Sequence, residues 1–370
     1  AAIIALAIVG CGGGGGGGDD SPPPAPPALA APTVSVDAPA ASVNRTVPLS
    51  ATVDAPDGVT VTSVEFLVDG ASVGTANADP FTVDWDSSSV SDGDHTVTAR
   101  ATDDTDRVVT SDPVTITVTN NPVIHVELSS AQTLPAVDSD ATGAGDITIN
   151  LVSGAVTGGV TVEGLTATLA HIHRGYAGVN GPVVVDFAAD PADPTRWNAV
   201  EGATLNEDDI ENLLTGALYV NVHTEANPAG EIRGQLQPEN IGVVFSAMSQ
   251  EQVVPPAPDA ASGTIATTID TAASTATVHA ITSVLVEPSA AHVHIADAGA
   301  NATDVLFDLA QSDTDPNHWL IERQDVTAEQ LDAFEANQWY VDVHTAGLPD
   351  GAVRGQIVAN NDVTPPAATT

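Results

Sequence analysis

Along most of the chain apolar and polar residues alternate one for one, and the alternating runs are short. Between Pro32 and about Asn120 they read TVSVDA, VPLSATVDA, VTSVEFLVDG, PFTVDW, HTVTARATD and PVTITVT, each bounded by Gly, Asp, Asn or Pro. A period of two sends alternate side chains to opposite faces, so each run reads as a half-buried strand and each break as a turn. About seven such runs at this spacing predict an antiparallel β-sandwich over residues 32–120. Asp103, Asp104 and Asp106 lack the Gly and Glu of an EF-hand loop and read as an acidic turn, with calcium as the alternative.

Beyond Asn121 the pattern repeats. Ala170-His171-Ile172-His173 returns as Ala291-His292-Val293-His294, and Tyr219-Val220-Asn221-Val222-His223-Thr224 as Tyr340-Val341-Asp342-Val343-His344-Thr345. Ile232-Arg233-Gly234-Gln235-Leu236 returns as Val353-Arg354-Gly355-Gln356-Ile357, and all three motifs recur 121 places further on. A single offset shared by three motifs means one domain written twice, at 121–238 and 240–360, followed by a Pro-, Ala- and Thr-rich tail over 361–370. Each copy is strand-rich, so the chain reads as all-β, with three antiparallel β-sandwiches in tandem. One short helix precedes the Tyr strand of each copy. Asn206 caps the first, with Glu207, Asp208 and Asp209 in its opening turn and Ile210, Leu213 and Leu214 on one face. Asp208 and Asp209 read as capping and solubility on an exposed helix start. Thr327 and Gln330 spell a capping box ahead of Leu331 and Phe334 in the second. Trp197 and Trp319 fall at nearly matching places in the copies and read as core residues.

Strand parity then sorts the polar residues. His171 and His173 share one face while Ala170 and Ile172 face the core; Tyr219, Asn221 and His223 oppose Val220 and Val222; Glu231, Arg233 and Gln235 oppose Ile232, Gly234 and Leu236. A hairpin turning near Asn227 sets Arg233 across from Asn221, and in the second copy sets Arg354 across from Asp342 as a cross-strand ion pair. Six of the ten histidines lie in this pattern. A His-x-His strand with a third histidine from a distant strand suits a divalent metal, copper or zinc. That gives the candidate ligands His171, His173 and His223 in one copy and His292, His294 and His344 in the other. Tyr219, Asn221, Arg233 and Gln235 surround the first set, and Tyr340, Asp342, Arg354 and Gln356 the second. Two other readings stand beside it: the histidines hydrogen-bond loop backbone and fix the hairpin, which makes the chain a purely structural spacer, or the copies are copper-dependent, dismutase-like enzymes in which Arg233 or Arg354 steers an anion to the metal. His95, His125, His279 and His318 have no counterpart in the repeat and read as incidental.

The motifs AHIHRG, NGPVVVDF and LYVNVHTEANPAGEIRGQL together resemble the CHRD domain, named for the repeats of chordin and found also in secreted bacterial proteins. The likeness covers nearly all of each copy. The second copy departs from it where HIADAG replaces the usual HxHxG and LPDGAVRG replaces NPAGEIRG. VEFLVDGASVG, FTVDWD and DGDHTVTARATD in turn resemble the bacterial immunoglobulin-like domains that act as spacers on secreted proteins. The two resemblances imply an extracellular binding or adhesion protein, not an enzyme, with a protein or polysaccharide as its partner.

Charge narrows the partners further. There are 49 acidic residues against 8 basic ones, a net charge of −41, and every basic residue is Arg. Nucleic acid and polybasic membrane recognition are excluded on that balance. So acidic a surface suits a salty, screening medium and a halophilic source, or else a lineage with a Lys-poor composition. At the start, AAIIALAIVGC runs into seven glycines and SPPPAPPALAAP. The apolar run is too short to span a bilayer and fits the core of a secretory signal. It resembles the lipobox of bacterial lipoproteins, which implies lipidation at Cys11 and a Gly/Pro tether over 1–31 that holds the domains off a membrane, in the cell envelope or at the cell surface. The sequence contains no phosphate-binding Gly loop, no GxSxG, no HExxH and no second cysteine.

Overall fold

The computed structural model describes residues 29–359 except 38, 41, 284 and 286. Cys11, most of the tether and the tail expected over 361–370 lie outside the described residues. Those described fall into two compact units, one holding most of the first nine strands and the other holding both repeat copies.

The first nine strands are β1 (Thr33–Asp37), β2 (Ser42–Val43), β3 (Thr46–Asp54), β4 (Val61–Val68), β5 (Ala71–Ala76), β6 (Thr82–Asp86), β7 (Gly93–Asp103), β8 (Val108–Thr110) and β9 (Val114–Val118). They form two sheets, β1-β3-β6 and β2-β9-β7-β4-β5, with β8 added to β7. The alternation seen in the sequence becomes burial here: Val64, Phe66 and Val68 are buried, while Ser63, Glu65 and Leu67 between them are less so. The acidic group closes the β7–β8 turn. Asp103 is buried, and its carboxylate accepts from the Thr105 and Arg107 amides, the Thr105 hydroxyl and Arg107 Nε. That carboxylate is spent on the turn itself, as the reading of an acidic turn has it.

The repeat copies are not sandwiches. Each is a closed barrel of eight strands. The first comprises β10 (Val123–Ser129), β11 (Thr142–Ile149), β12 (Val156–Glu163), β13 (Leu169–Arg174), β14 (Val183–Asp190), β15 (Asp193–Ala199), α1 (Glu207–Leu214), β16 (Leu218–His223) and β17 (Ile232–Gln235). Its strands run in the order β10-β11-β12-β15-β14-β13-β16-β17. The second repeats that order with β18 (Ile241–Ser249), β19 (Ser262–Asp270), β20 (Thr275–Thr282), β21 (Pro288–Ile295), β22 (Val305–Gln311), β23 (His318–Asp325), α2 (Ala328–Glu335), β24 (Trp339–Thr345) and β25 (Leu348–Gln356). The inward residues of the strands form one core per barrel. Trp197 joins the first core with Ile210 and Leu213 of α1, and Trp319 joins the second with Phe334 of α2 and Trp339.

What closes each barrel is a short seam. β10 meets β17 through one pair, Ser129 with Arg233, and β18 meets β25 through Ser249 with Arg354. A glutamine side chain extends the seam by standing in for backbone. Gln132 Oε1 accepts from the Gln235 amide at 3.2 Å, and Gln252 Oε1 from the Gln356 amide at 3.0 Å. The glycine of the Arg-Gly-Gln motif lets the strands approach: a Cβ on Gly234 would stand 2.3 Å from the Glu127 carbonyl oxygen. Gly234→Ala is therefore expected to cost the first barrel about 2 kcal/mol through overpacking. Scanning calorimetry of the full chain should show one barrel transition falling and the other unmoved; an unshifted trace would mean the seam absorbs a methyl group.

Candidate metal centre

Strand β13 lies between β14 and β16. It pairs His171 with Asn221, His173 with Tyr219 and Leu169 with His223. Ala170 and Ile172 are fully buried in the barrel core, so the two imidazoles between them stand on the barrel's outer face. The register of β13 against β14 slips between Ile172 and His173, and the same slip recurs between Val293 and His294. The three rings of the first copy gather with centroids 5.5 Å (His171–His173), 5.1 Å (His171–His223) and 5.8 Å (His173–His223) apart.

Each ring is turned by an acceptor on its far side. His173 Nδ1 donates to the Gly181 carbonyl at 3.0 Å and His223 Nδ1 to the Pro228 carbonyl at 3.0 Å. A carbonyl only accepts, so the proton sits on Nδ1 and the Nε2 lone pair is left for the cluster. His171 turns Nε2 towards Asp186, 3.7 Å away, and brings Nδ1 to 3.2 Å from His223 Nε2. Facing lone pairs repel unless a cation or a proton lies between them. About a tetrahedral zinc with Zn–N bonds of about 2.05 Å, neighbouring nitrogens stand about 3.3 Å apart, close to the 3.2 Å between His171 and His223. His173 Nε2 is buried with no hydrogen-bond partner among the described residues. Burial holds the pKa of all three imidazoles below the ordinary value, which keeps them in the neutral, ligating form. One nitrogen from each lies within 4.8 Å of the other two, and a second ring nitrogen held by a carbonyl or carboxylate is how metal-ligating histidines are oriented.

The second copy keeps these ring orientations and adds a charge, and the donors that lie within 4.8 Å of one another there are His292, His294 and Asp342. His294 Nδ1 donates to the Asp304 carbonyl and His344 Nδ1 to the Pro349 carbonyl, and His292 Nδ1 lies 3.1 Å from His344 Nε2. Asp342 Oδ1 enters the middle, 3.1 Å from His344 Nε2, 3.4 Å from His294 Nε2 and 3.7 Å from His292 Nδ1. Burial opposes the charged form of His294, but the hydrogen bond and charge of Asp342 outweigh it and raise its pKa. For His344 the hydrogen bond to Asp342 is the main cause of a pKa above the ordinary value. Burial likewise opposes ionisation of Asp342, yet the two histidines hold its carboxyl well below the usual carboxylate range.

Behind each cluster stands a three-layer stack. The His173 ring lies parallel to Tyr219 at 5.1 Å, and the Arg233 guanidinium covers the other phenol face at 3.5 Å. His294, Tyr340 and Arg354 repeat it at 5.0 and 3.6 Å. The Tyr219 hydroxyl accepts from the Gly181 amide, Arg233 donates to the Tyr176 and Val179 carbonyls, and Gln235 Nε2 donates to those of Gly175 and Gly216. The loop over residues 175–181 is thus fastened down by the motif residues, and its Gly181 carbonyl turns His173. The same loop seats on the second barrel, where Ala177 packs with Ile241, Val243, Phe245 and Ala266.

Several expectations change. The face carrying Tyr219, Asn221, Arg233 and Gln235 is not open, for every residue of β16 and β17 is buried. Arg233 and Arg354 are 1% and 2% exposed and committed to loop acceptors, so neither steers an anion from solvent. Burial lowers the Arg233 pKa to about 10, which still leaves it charged at neutral pH. Arg354 lies across from Asp342 in register, but the carboxylate makes its short contacts with the imidazoles while the guanidinium turns to Asn301 and Gln356. Asp209 is buried and not a solubilising residue: it pairs with Arg174 at 2.7 Å and so ties α1 to β13. His279 and His318 are not incidental, since they contact each other at 2.9 Å, with His279 buried against Tyr176. His125 reaches Asp146 and His95 reaches Asp69. Gln132, Gln252, Asp186 and Asp308 were not singled out by the sequence, although their offsets of about one repeat were available as a signal.

Opposite shifts predict opposite pH responses. The lowered pKa values of the first cluster contribute stability that is present above the ordinary histidine value of 6.5 and lost as pH falls below it. The raised values of His294 and His344 contribute stability that is present below 6.5 and lost as pH rises through their folded-state values. Proton NMR titration of metal-stripped protein should place His171, His173 and His223 midpoints below 6.5 and those of His294 and His344 above it. A common midpoint for both groups would contradict the assignment.

Comparison with protein families gives two matches. The CHRD domain model matches residues 124–236 and 244–357, and the bacterial Ig domain model matches 32–99. A search of curated proteins finds no significant match. Among solved structures, the fibronectin(III)-like modules of Clostridium thermocellum CbhA are 27% identical over 23% of this chain and 93% of that one, with a TM-score of 0.20.

Proposed function

Because the chain belongs to the CHRD-domain family, with two copies of that domain behind a bacterial Ig domain, we propose that it is a non-enzymatic binding protein of the cell envelope whose barrels each hold one transition-metal ion. The observation that carries the reading is the orientation of the imidazoles. In both copies three rings turn one nitrogen inward; on two of them the other nitrogen donates to a carbonyl, and on His171 and His292 it faces a carboxylate 3.7 and 3.6 Å away. Hairpin struts would need only the outer hydrogen bonds and the His171–His223 contact, and that role leaves His173 Nε2 buried without a partner beside the other two inner nitrogens. The ligands are His171, His173 and His223, and His292, His294 and His344 joined by Asp342; copper and zinc are the ions such donors suit.

The test is metal content. Untagged protein dialysed against zinc or copper should carry two equivalents by mass spectrometry, His173→Ala one, and the chain with all six histidines replaced none. Two equivalents retained by His173→Ala, or none bound by the wild type, would overturn the reading. The envelope location rests on the lipobox-like run before Cys11 and on the Gly/Pro tether. Labelled palmitate should enter the full-length protein in a bacterial host and fail to enter Cys11→Ser.

A further inference from the structure

The two clusters share every imidazole but differ in one central residue. Asn221 and Asp342 occupy the same register position, across from His171 and His292 respectively. Asn221 has a donor to spend: its Nδ2 reaches the Ala229 carbonyl at 3.1 Å, and the amide packs against Gly230, where any Cβ would stand 2.3 Å from Oδ1. A carboxylate has no such donor. Asp342 turns the other way and sets Oδ1 within 3.7 Å of a ring nitrogen on each of the three histidines.

Taking the metal-binding reading as its basis, we propose that the clusters select ions of different charge. The first takes a monovalent copper ion and the second a divalent zinc ion. The first offers neutral nitrogens alone, backed through Tyr219 by the buried Arg233 cation. Its nearest carboxylate, Asp186, lies on the outer side of His171 and is 71% exposed, so water screens it. A soft monovalent ion is satisfied by three imidazoles, whereas a divalent one would leave two positive charges beside a third. In the second cluster the donors that lie within 4.8 Å of one another are His292, His294 and Asp342, two nitrogens, one oxygen and one negative charge, and His344 Nε2, 3.1 Å from that oxygen, is the fourth donor that zinc takes. A carboxylate attracts a divalent ion twice as strongly as a monovalent one at equal distance, so Asp342 shifts the preference in one direction only.

The experiment uses the full chain, metal-stripped and without a tag, titrated with zinc against a chromophoric chelator and, anaerobically, with copper(I) against a copper(I)-specific chelator. Wild type should bind one zinc tightly and a second at least tenfold more weakly. Asp342→Asn should remove the tight zinc step and leave copper(I) binding at the first cluster intact. Asn221→Asp, which loses the donor to Ala229, should create a second tight zinc step and weaken copper(I). Both variants are isosteric, and circular dichroism reports whether they fold. Two equal zinc steps that Asp342→Asn leaves unchanged, with uptake still lost in the histidine variants, would overturn this proposal alone. No uptake of either ion would overturn the metal-binding reading and this proposal with it.

Discussion

The stack of imidazole, phenol and guanidinium holds the rest of the site in place. Tyr219 presents one face to His173 and the other to Arg233, and its hydroxyl holds the loop whose carbonyl turns His173. Arg233 is a buried cation whose hydrogen bonds run to carbonyls and amide oxygens, with no carboxylate in ion-pair contact among the described residues. Such a charge is tolerated only where a π-face and several aligned dipoles replace water together. Removing any layer therefore exposes a desolvated group in the next. Ring orientation, loop position and barrel seam then fail as one, because Arg233 is also the residue that β17 pairs across the seam.

Much of this was legible in the sequence, but not evenly. Alternation located the strands, and the fixed offset identified the repeat and its histidines. Barrel closure escaped because it depends on a single pair of residues and on the side chain of Gln132, which bonds across 103 positions and leaves no local pattern. Parity set Arg233 and Gln235 on a polar face, yet that face is buried beneath an irregular loop, and loops carry no period. The groups that turn the histidines are the carbonyls of Gly181 and Pro228, which any residue type supplies. The sequence could therefore name the inner imidazoles and not the outer carbonyls that orient them.

The copies show which parts of the motif tolerate change. The stack, the seam glutamine and the glycine between Arg and Gln recur in both barrels, whereas the hairpin loop differs. In the first copy Glu231 gathers Ser139, Thr224 and Asn227. In the second, Ala352 stands at that position and β25 begins at Leu348, so strand pairing replaces the side-chain network. Both solutions deliver a proline carbonyl to the third histidine. The backbone position is what persists.

Closure has one more consequence. An open sheet ends in a strand with unpaired amides and carbonyls, and natural proteins commonly guard that edge against pairing with other chains by placing lysines along it. This chain contains no lysine, since its 8 basic residues are all arginines and two of them are sealed inside the stacks. Its barrels have no such margin to guard. The two copies meet the threat of intermolecular strand addition by topology, which works equally well at any salt concentration, instead of by charge, which does not.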